Sequence, residues 1–239
     1  MGIENEIKYI LDNRRATEIR DAAAKFGERH AIQQAYIGGE AGIRLDNGVP
    51  VFTYHKDGHS FELPISEEDF ARLISLVPTT PKNGHTILLP NDGARLRVSS
   101  NPTDIERYFT YKRDVDGKLV EIESKTAVDV PVFEQWWAKG RNLVCKERFK
   151  FLDEHDITWD SDFLIQDHHI YWSMSEAEMP TEDMEEPPVV LPLVDKYVIY
   201  KVHKNDSRFT NKKLADRAYA EKMLARIYNG TVDKGRSMT

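Results

Sequence analysis

The chain has 239 residues, 40% hydrophobic and 31% charged, with a formal net charge of −7 at pH 7. That length suits one large domain or two small ones, and the balance is that of a globular protein in water. An acidic balance argues against a broad, non-specific nucleic-acid surface but leaves room for a small polyanion at a locally basic site. No apolar run is long enough to span a bilayer, the N-terminus has no signal-peptide core, and the one cysteine, Cys145, cannot pair within the chain. A cytoplasmic, reducing setting with no membrane partner is expected. With no base or metal ligand near it in sequence, Cys145 reads as a packed thiol, not a nucleophile.

Residues 1–10 read as a strand, which puts Glu4, Glu6 and Lys8 on one face and Ile3, Ile7 and Tyr9 on the other. Asp12 to Arg15 give a turn and cap, and residues 14–27 a helix with Ala16, Ile19, Ala23 and Phe26 at helical spacing. Residues 31–37 form the next strand. In residues 40–93, strands are expected at 51–55, 61–63 and 86–89, with a helix capped at Ser66 and broken by Pro78 and Pro81. A denser run of strands follows. Residues 94–98 align Arg95 with Arg97, residues 106–113 place Thr110 beside Lys112, and residues 119–125 align Glu121, Glu123 and Lys125. Residues 129–137 read as a helix. Strands at 144–151, 157–162 and 171–179 align Lys146, Arg148 and Lys150, then Asp160 and Asp162, then Glu176 and Glu178. His168 and His169 are neighbours, so within a strand they would face opposite ways; a loop or strand end suits them better. Residues 181–192 are an acidic, proline-rich loop, 196–203 a last strand, and 211–227 a closing helix.

Several of these rows hold charge of one sign at alternate positions, whereas a face selected only for solubility mixes its signs. If the strands close into an antiparallel barrel, such faces would line its lumen, which must then be wet and internally paired. Basic rows suit a polyphosphate, and carboxylate rows suit a hard divalent cation. The segregation of the two suggests a metal–triphosphate site.

Glu4-x-Glu6-x-Lys8 resembles the ExExK signature of the CYTH superfamily, the triphosphate tunnel metalloenzymes. The likeness continues in order through Ile32 to Ile37, Arg95-Leu96-Arg97, Thr110-Tyr111-Lys112, Glu121-Ile122-Glu123, Lys146-Glu147-Arg148-Phe149, Trp159-Asp160 and Ser175 to Pro180. It covers nearly the whole chain except about residues 38–93. It implies an α+β, mainly β fold: a closed eight-stranded antiparallel β-barrel with helices packed outside. That would be one domain over 1–239, with an insertion at about 38–93 and the acidic loop at 181–192. It implies hydrolysis or cyclisation of a triphosphate with Mg²⁺ or Mn²⁺. Glu4, Glu6 and Lys8 would be catalytic. Glu4, Glu6, Glu121, Glu123, Asp160, Glu176 and Glu178 would serve the metal, with Asp162 an alternative to Asp160. Lys8, Arg95, Arg97, Lys112, Lys146 and Arg148 would hold the phosphates, unless Arg44 and His55 of the insertion replace Arg95 and Lys112.

The leading expectation is a divalent-metal-dependent triphosphatase acting on inorganic triphosphate, a nucleotide or another organic triphosphate. One alternative is a class IV type adenylate cyclase, though nothing in the sequence marks a base pocket. Another is a non-catalytic nucleotide or polyphosphate binder. The expected partner is a small-molecule triphosphate, with an RNA 5′-triphosphate end as the one nucleic-acid exception; a homodimer is left open.

Overall fold

The first strand alternates as its sequence predicts. β1 (Glu6–Leu11) buries Ile7, Tyr9 and Leu11 on one face and carries Glu6 and Lys8 on the other. The structure, a computed structural model, describes residues 5–77, 84–90, 93–115, 118–125, 127–181, 183–203 and 206–232. The Asp12 side chain accepts from the Arg14 amide and starts a 3-10 turn, Asn13–Arg15, which leads into α1 (Ala16–Ala23). The helix is thus shorter than residues 14–27. β2 (Glu28–Tyr36) follows.

Residues 40–89 build a sheet of their own from β3 (Glu40–Asp46), β4 (Val49–Lys56), β5 (His59–Pro64) and β6 (Ile87–Leu89), ordered β5-β4-β3-β6. Two-residue turns join its first three strands. Asn47-Gly48 and Asp57-Gly58 take positive φ at both positions (50° and 83°, 52° and 79°), the twist that hairpins favour. α2 (Glu67–Ile74) starts at Ser66, whose hydroxyl accepts from the Asp69 amide at 3.0 Å. The proline break expected after α2 lies outside the described residues.

Then come β7 (Ala94–Ser100), β8 (Ile105–Val115), β9 (Lys118–Ser124), α3 (Val130–Ala138), β10 (Arg141–Leu152), β11 (Thr158–Gln166) and β12 (His169–Glu178). Asp167 and His168, both at positive φ, turn β11 into β12, so the histidine pair sits at a hairpin. The acidic loop ends where Pro192 opens α4 (Pro192–Asp195), ahead of a four-residue β13 (Val198–Lys201). The closing helix is two helices, α5 (Asn211–Leu214) and α6 (Arg217–Tyr228), because Asp216 caps a new start by accepting from the Tyr219 amide.

The expected closed eight-stranded barrel is not what forms. One antiparallel sheet has nine strands in the order β13-β1-β12-β11-β10-β2-β7-β8-β9, and the other has the four given above. Among the described residues neither closes: the edge strands β13 and β9 do not pair with each other in that order. Alternation of side chains specifies which face a residue takes, and closure is a separate matter of tilt, stagger and edge pairing.

The residues fall into two compact units. One holds Gln34–Val98 and Glu106–Arg141; the other holds Asn5–Gln33, Ser99–Ile105 and the chain from Asn142 on. In the first, Ile43, Phe52 and Tyr54 of the small sheet pack with Leu96, Phe109, Tyr111 and Ile122 of β7, β8 and β9 and with Phe133 and Trp136 of α3. In the second, Ile7, Tyr9, Trp159 and Phe163 pack with Ile19 and Ala23 of α1 on one face of the sheet. On the other face, Ile10, Leu164, Trp172 and Met174 pack with Phe209, Leu214, Met223 and Ile227 of the C-terminal helices. Among the described residues, no helix is long and apolar enough to cross a membrane.

Candidate functional site

In the second unit, strand register assembles a charged patch on the face that α5 and α6 cover farther along. Lys8 lies opposite Glu176, Asp160 opposite Glu176, and Arg148 opposite Asp162. Farther along the same strands Ile10 lies opposite Met174 and Leu164 opposite Trp172, so the face turns from charged to apolar along its length. Glu6, Lys8, Arg148, Asp160, Asp162 and Glu176 therefore meet because four neighbouring strands each give alternate side chains to one face.

Lys8 Nζ donates to Glu6 Oε1 at 2.5 Å and to Glu176 Oε1 at 2.6 Å. Burial alone would lower its pKa, but Glu176 and Glu6 outweigh that and hold the ammonium well above its ordinary value. Burial likewise opposes ionisation of Glu176, yet Lys8, Lys146 and Arg148 hold its carboxyl far below the usual range. Arg148 is forked among three carboxylates. Nε donates to Asp162 Oδ1 at 2.6 Å, and Nη2 to Asp162 Oδ2 at 2.7 Å and Glu176 Oε2 at 3.1 Å, while Nη1 donates to Asp160 Oδ2. Lys146 Nζ donates to Asp162 Oδ2, and that carboxylate is fully buried.

Asp160 differs from its neighbours. It is 7% exposed, and its Oδ1 is buried with no hydrogen-bond partner. Burial raises its pKa, and the nearby Asp162 and Glu176 charges add to that against the pull of Arg148. Glu178, in register with Glu6, stands at the exposed end of β12. Glu4 lies outside the described residues.

The other predicted residues form a second cluster on the first unit. β8 and β9 set Thr110 opposite Glu123 and Lys112 opposite Glu121. Arg97 Nη2 pairs with Glu123 Oε2 at 2.7 Å, and Lys112 Nζ with Glu121 Oε1 at 3.2 Å; Arg95 Nη2 is 3.7 Å from Glu121 Oε1. The Thr110 hydroxyl donates to Glu123 Oε2 at 3.1 Å. Tyr108 ends the row, its ring under the Arg97 guanidinium at 4.6 Å. Arg44 is forked on Glu62, both contacts 2.7 Å, within the four-stranded sheet, and His55 is exposed on β4. Burial pushes the Cys145 thiol up, which suits a packed thiol.

Sequence reasoning passed over Asn5. Its buried amide donates to the carbonyls of Thr181 at 2.8 Å and Met184 at 2.6 Å, tying the acidic loop to the start of β1. An asparagine between apolar positions of a strand was the available signal.

Among the described residues, no three His, Cys, Asp or Glu side chains stand together as a ready metal centre, because the carboxylates are turned onto Lys8, Lys146 and Arg148. The chemistry of the donors still suits a hard cation: they are carboxylate oxygens, and Asp160 Oδ1 is a buried acceptor lacking a donor.

No family model matches the sequence, and no curated protein matches it. Among solved structures the chain is similar to the PH1819 protein of Pyrococcus horikoshii, with 17% identity over 81% of this chain and 85% of that one and a TM-score of 0.39. It is also similar to the inorganic triphosphatase NE1496, with 21% identity over 90% and 95% of the two chains and a TM-score of 0.38. A third is HpAC1 from Hippeastrum, described as revealing a dominant triphosphatase activity, with 13% identity over 74% and 80% and a TM-score of 0.33.

Proposed function

We propose that this protein is a divalent-metal-dependent triphosphatase, and that the charged patch of β1, β10, β11 and β12 holds its metal. The observation that carries the reading is Asp160 Oδ1, a buried carboxylate oxygen without a donor, on a residue beside Glu176 and paired through its other oxygen with Arg148. An orphaned buried acceptor of this kind is uncommon and asks for a ligand. The names of two similar solved structures agree with the reading without carrying it.

Glu6, Asp160 and Glu176 would hold Mg²⁺ or Mn²⁺, which would supply positive charge against the charge that develops on the phosphate oxygens. Lys8 would meet the phosphate as a point charge. Arg148 keeps Asp160 and Glu176 side by side, one carboxylate on Nη1 and the other on Nη2. In the net reaction the oxygen of water bonds to the terminal phosphorus, the bridging P–O bond breaks, and orthophosphate and diphosphate leave. The row of Arg95, Arg97 and Lys112 has the residue types of a phosphate-binding row, partly neutralised by Glu121 and Glu123.

The test is a screen of inorganic triphosphate, ATP and thiamine triphosphate with Mg²⁺ and with Mn²⁺. Metal-dependent release of orthophosphate, abolished by chelator and by Glu6→Ala, is expected. Cyclic AMP and pyrophosphate from ATP would assign a cyclase. Tight triphosphate binding without turnover under every condition would assign a binder.

A further inference from the structure

Asp160 and Asp162 sit two residues apart on the same face of β11, and the sequence treats them alike. Their surroundings do not. The Asp162 carboxylate is fully buried and takes three donors: Arg148 Nε on Oδ1, and Arg148 Nη2 and Lys146 Nζ on Oδ2. Neither metal nor phosphate reaches it without displacing them. Lys146 is closed off in the same way, with 3% of its side chain exposed. We infer that Asp162 is a positioning residue: it locks the Arg148 guanidinium by a two-point fork so that its remaining donors fix Asp160 and Glu176, with Lys146 a buried counter-ion in place of a phosphate ligand.

The geometry supports each link. A bidentate fork fixes both the position and the plane of a guanidinium. Once Nε and one hydrogen of Nη2 are on Asp162, the guanidinium plane determines where Nη1 points, and Nη1 meets Asp160 Oδ2. Arg148 thus occupies one oxygen of Asp160 and leaves Oδ1 without a partner. Outer residues that orient metal-binding carboxylates in this way commonly govern affinity and rate as strongly as some direct ligands. Arg148 carries one positive charge against the three carboxylates it touches, and Lys146 adds a second cation at Asp162. Lys146 therefore balances the buried anion cluster, and removing Asp162 alone would strand it.

The inference rests on the metal-site reading for its effect on turnover, so the experiment reads the arginine directly as well as the rate. Asp162→Asn alone leaves Lys146 buried and uncompensated and is expected to fold poorly. The informative variants are Lys146→Met and the double variant Asp162→Asn/Lys146→Met, with Arg148→Lys as reference. In the first readout, Arg148 Nε–H exchange is followed by nitrogen-15 NMR. A slowly exchanging signal is expected in the wild type and in Lys146→Met, and exchange about tenfold or more faster in the double variant. In the second, kcat for inorganic triphosphate falls about a hundredfold in the double variant with little change in KM, and adding Arg148→Lys costs nothing further. Lys146→Met alone shifts KM by less than about threefold. Protected Arg148 exchange persisting in the double variant, or absent from the wild type, overturns the inference whether or not the protein turns over. A rise in KM of about tenfold or more in Lys146→Met returns that residue to phosphate binding and also overturns it. A wild type that shows the protected signal but no metal-dependent turnover leaves the positioning role standing and removes the triphosphatase reading.

Discussion

Asp160 and Asp162 differ by two positions and by everything that surrounds them. Asp162 is saturated by donors, while Asp160 keeps an oxygen without one. Asp160→Asn is therefore expected to raise the metal concentration for half-maximal activity by about tenfold or more, measured by titrating Mn²⁺ at saturating triphosphate. Asp12 makes a separate prediction. Its carboxylate accepts from the Arg14 amide at 3.2 Å, from Arg14 Nε and Nη2 at 2.8 Å each, and from the Tyr228 hydroxyl at 2.9 Å. The Arg14 side chain, first among these, lowers its pKa from 3.8 to about 2. A depressed carboxyl pKa stabilises the fold above the unfolded value, and that contribution disappears as pH falls through the folded value. For Asp12 the loss falls between 3.8 and about 2. Acid unfolding followed by circular dichroism should be shallower in Asp12→Asn than in the wild type over that window. The site was legible at this scale wherever charge alternates, as at Lys8, Arg148 and Glu176. Which acid keeps a free oxygen was not, because that depends on the register with the neighbouring strand, Arg148 opposite Asp162.

The four-stranded sheet shows what local chemistry determines about an element. Gly48 and Gly58 lie at φ +83° and +79°, where an L side chain is strained, whereas Gly38 has nothing within 4 Å of an added Cβ and no such φ. Gly48→Ala is expected to destabilise by about 1 kcal/mol and Gly38→Ala to have little effect, measured by urea denaturation at the same pH. The Asn-Gly and Asp-Gly pairs carry a hairpin signal, but neither those turns nor a strand at residues 40–46 was read from the sequence. Gly42 within it and Gly39 just before it lower strand propensity, but both accommodate close packing: a Cβ at Gly39 would lie 2.5 Å from the Tyr54 hydroxyl, and one at Gly42 2.5 Å from Thr86 Cγ2. Trp136 is 1% exposed in the core of that unit. Its replacement by alanine should cost about 3–5 kcal/mol, the loss expected for a large buried aromatic. A loss below about 1 kcal/mol by chemical denaturation would show that α3 does not anchor this core.

For the molecule as a whole, the rows of like charge and their apolar opposite faces were visible in the sequence, because strand alternation is a local property. Closure was not visible. Whether the last strand meets the far edge depends on stagger and twist summed over every strand, and here β13 is four residues long and pairs with β1 at one edge while β9 ends the other. The metal–triphosphate reading does not require closure; it requires the carboxylates of β1, β11 and β12 on one face, as register places them. Its most direct test is the rate of orthophosphate release from inorganic triphosphate with Mg²⁺ or Mn²⁺, comparing wild type with Asp160→Asn. The account predicts metal-dependent release in the wild type, reduced about a hundredfold in the variant. Release that needs no divalent cation, or that Asp160→Asn leaves undiminished, would contradict it.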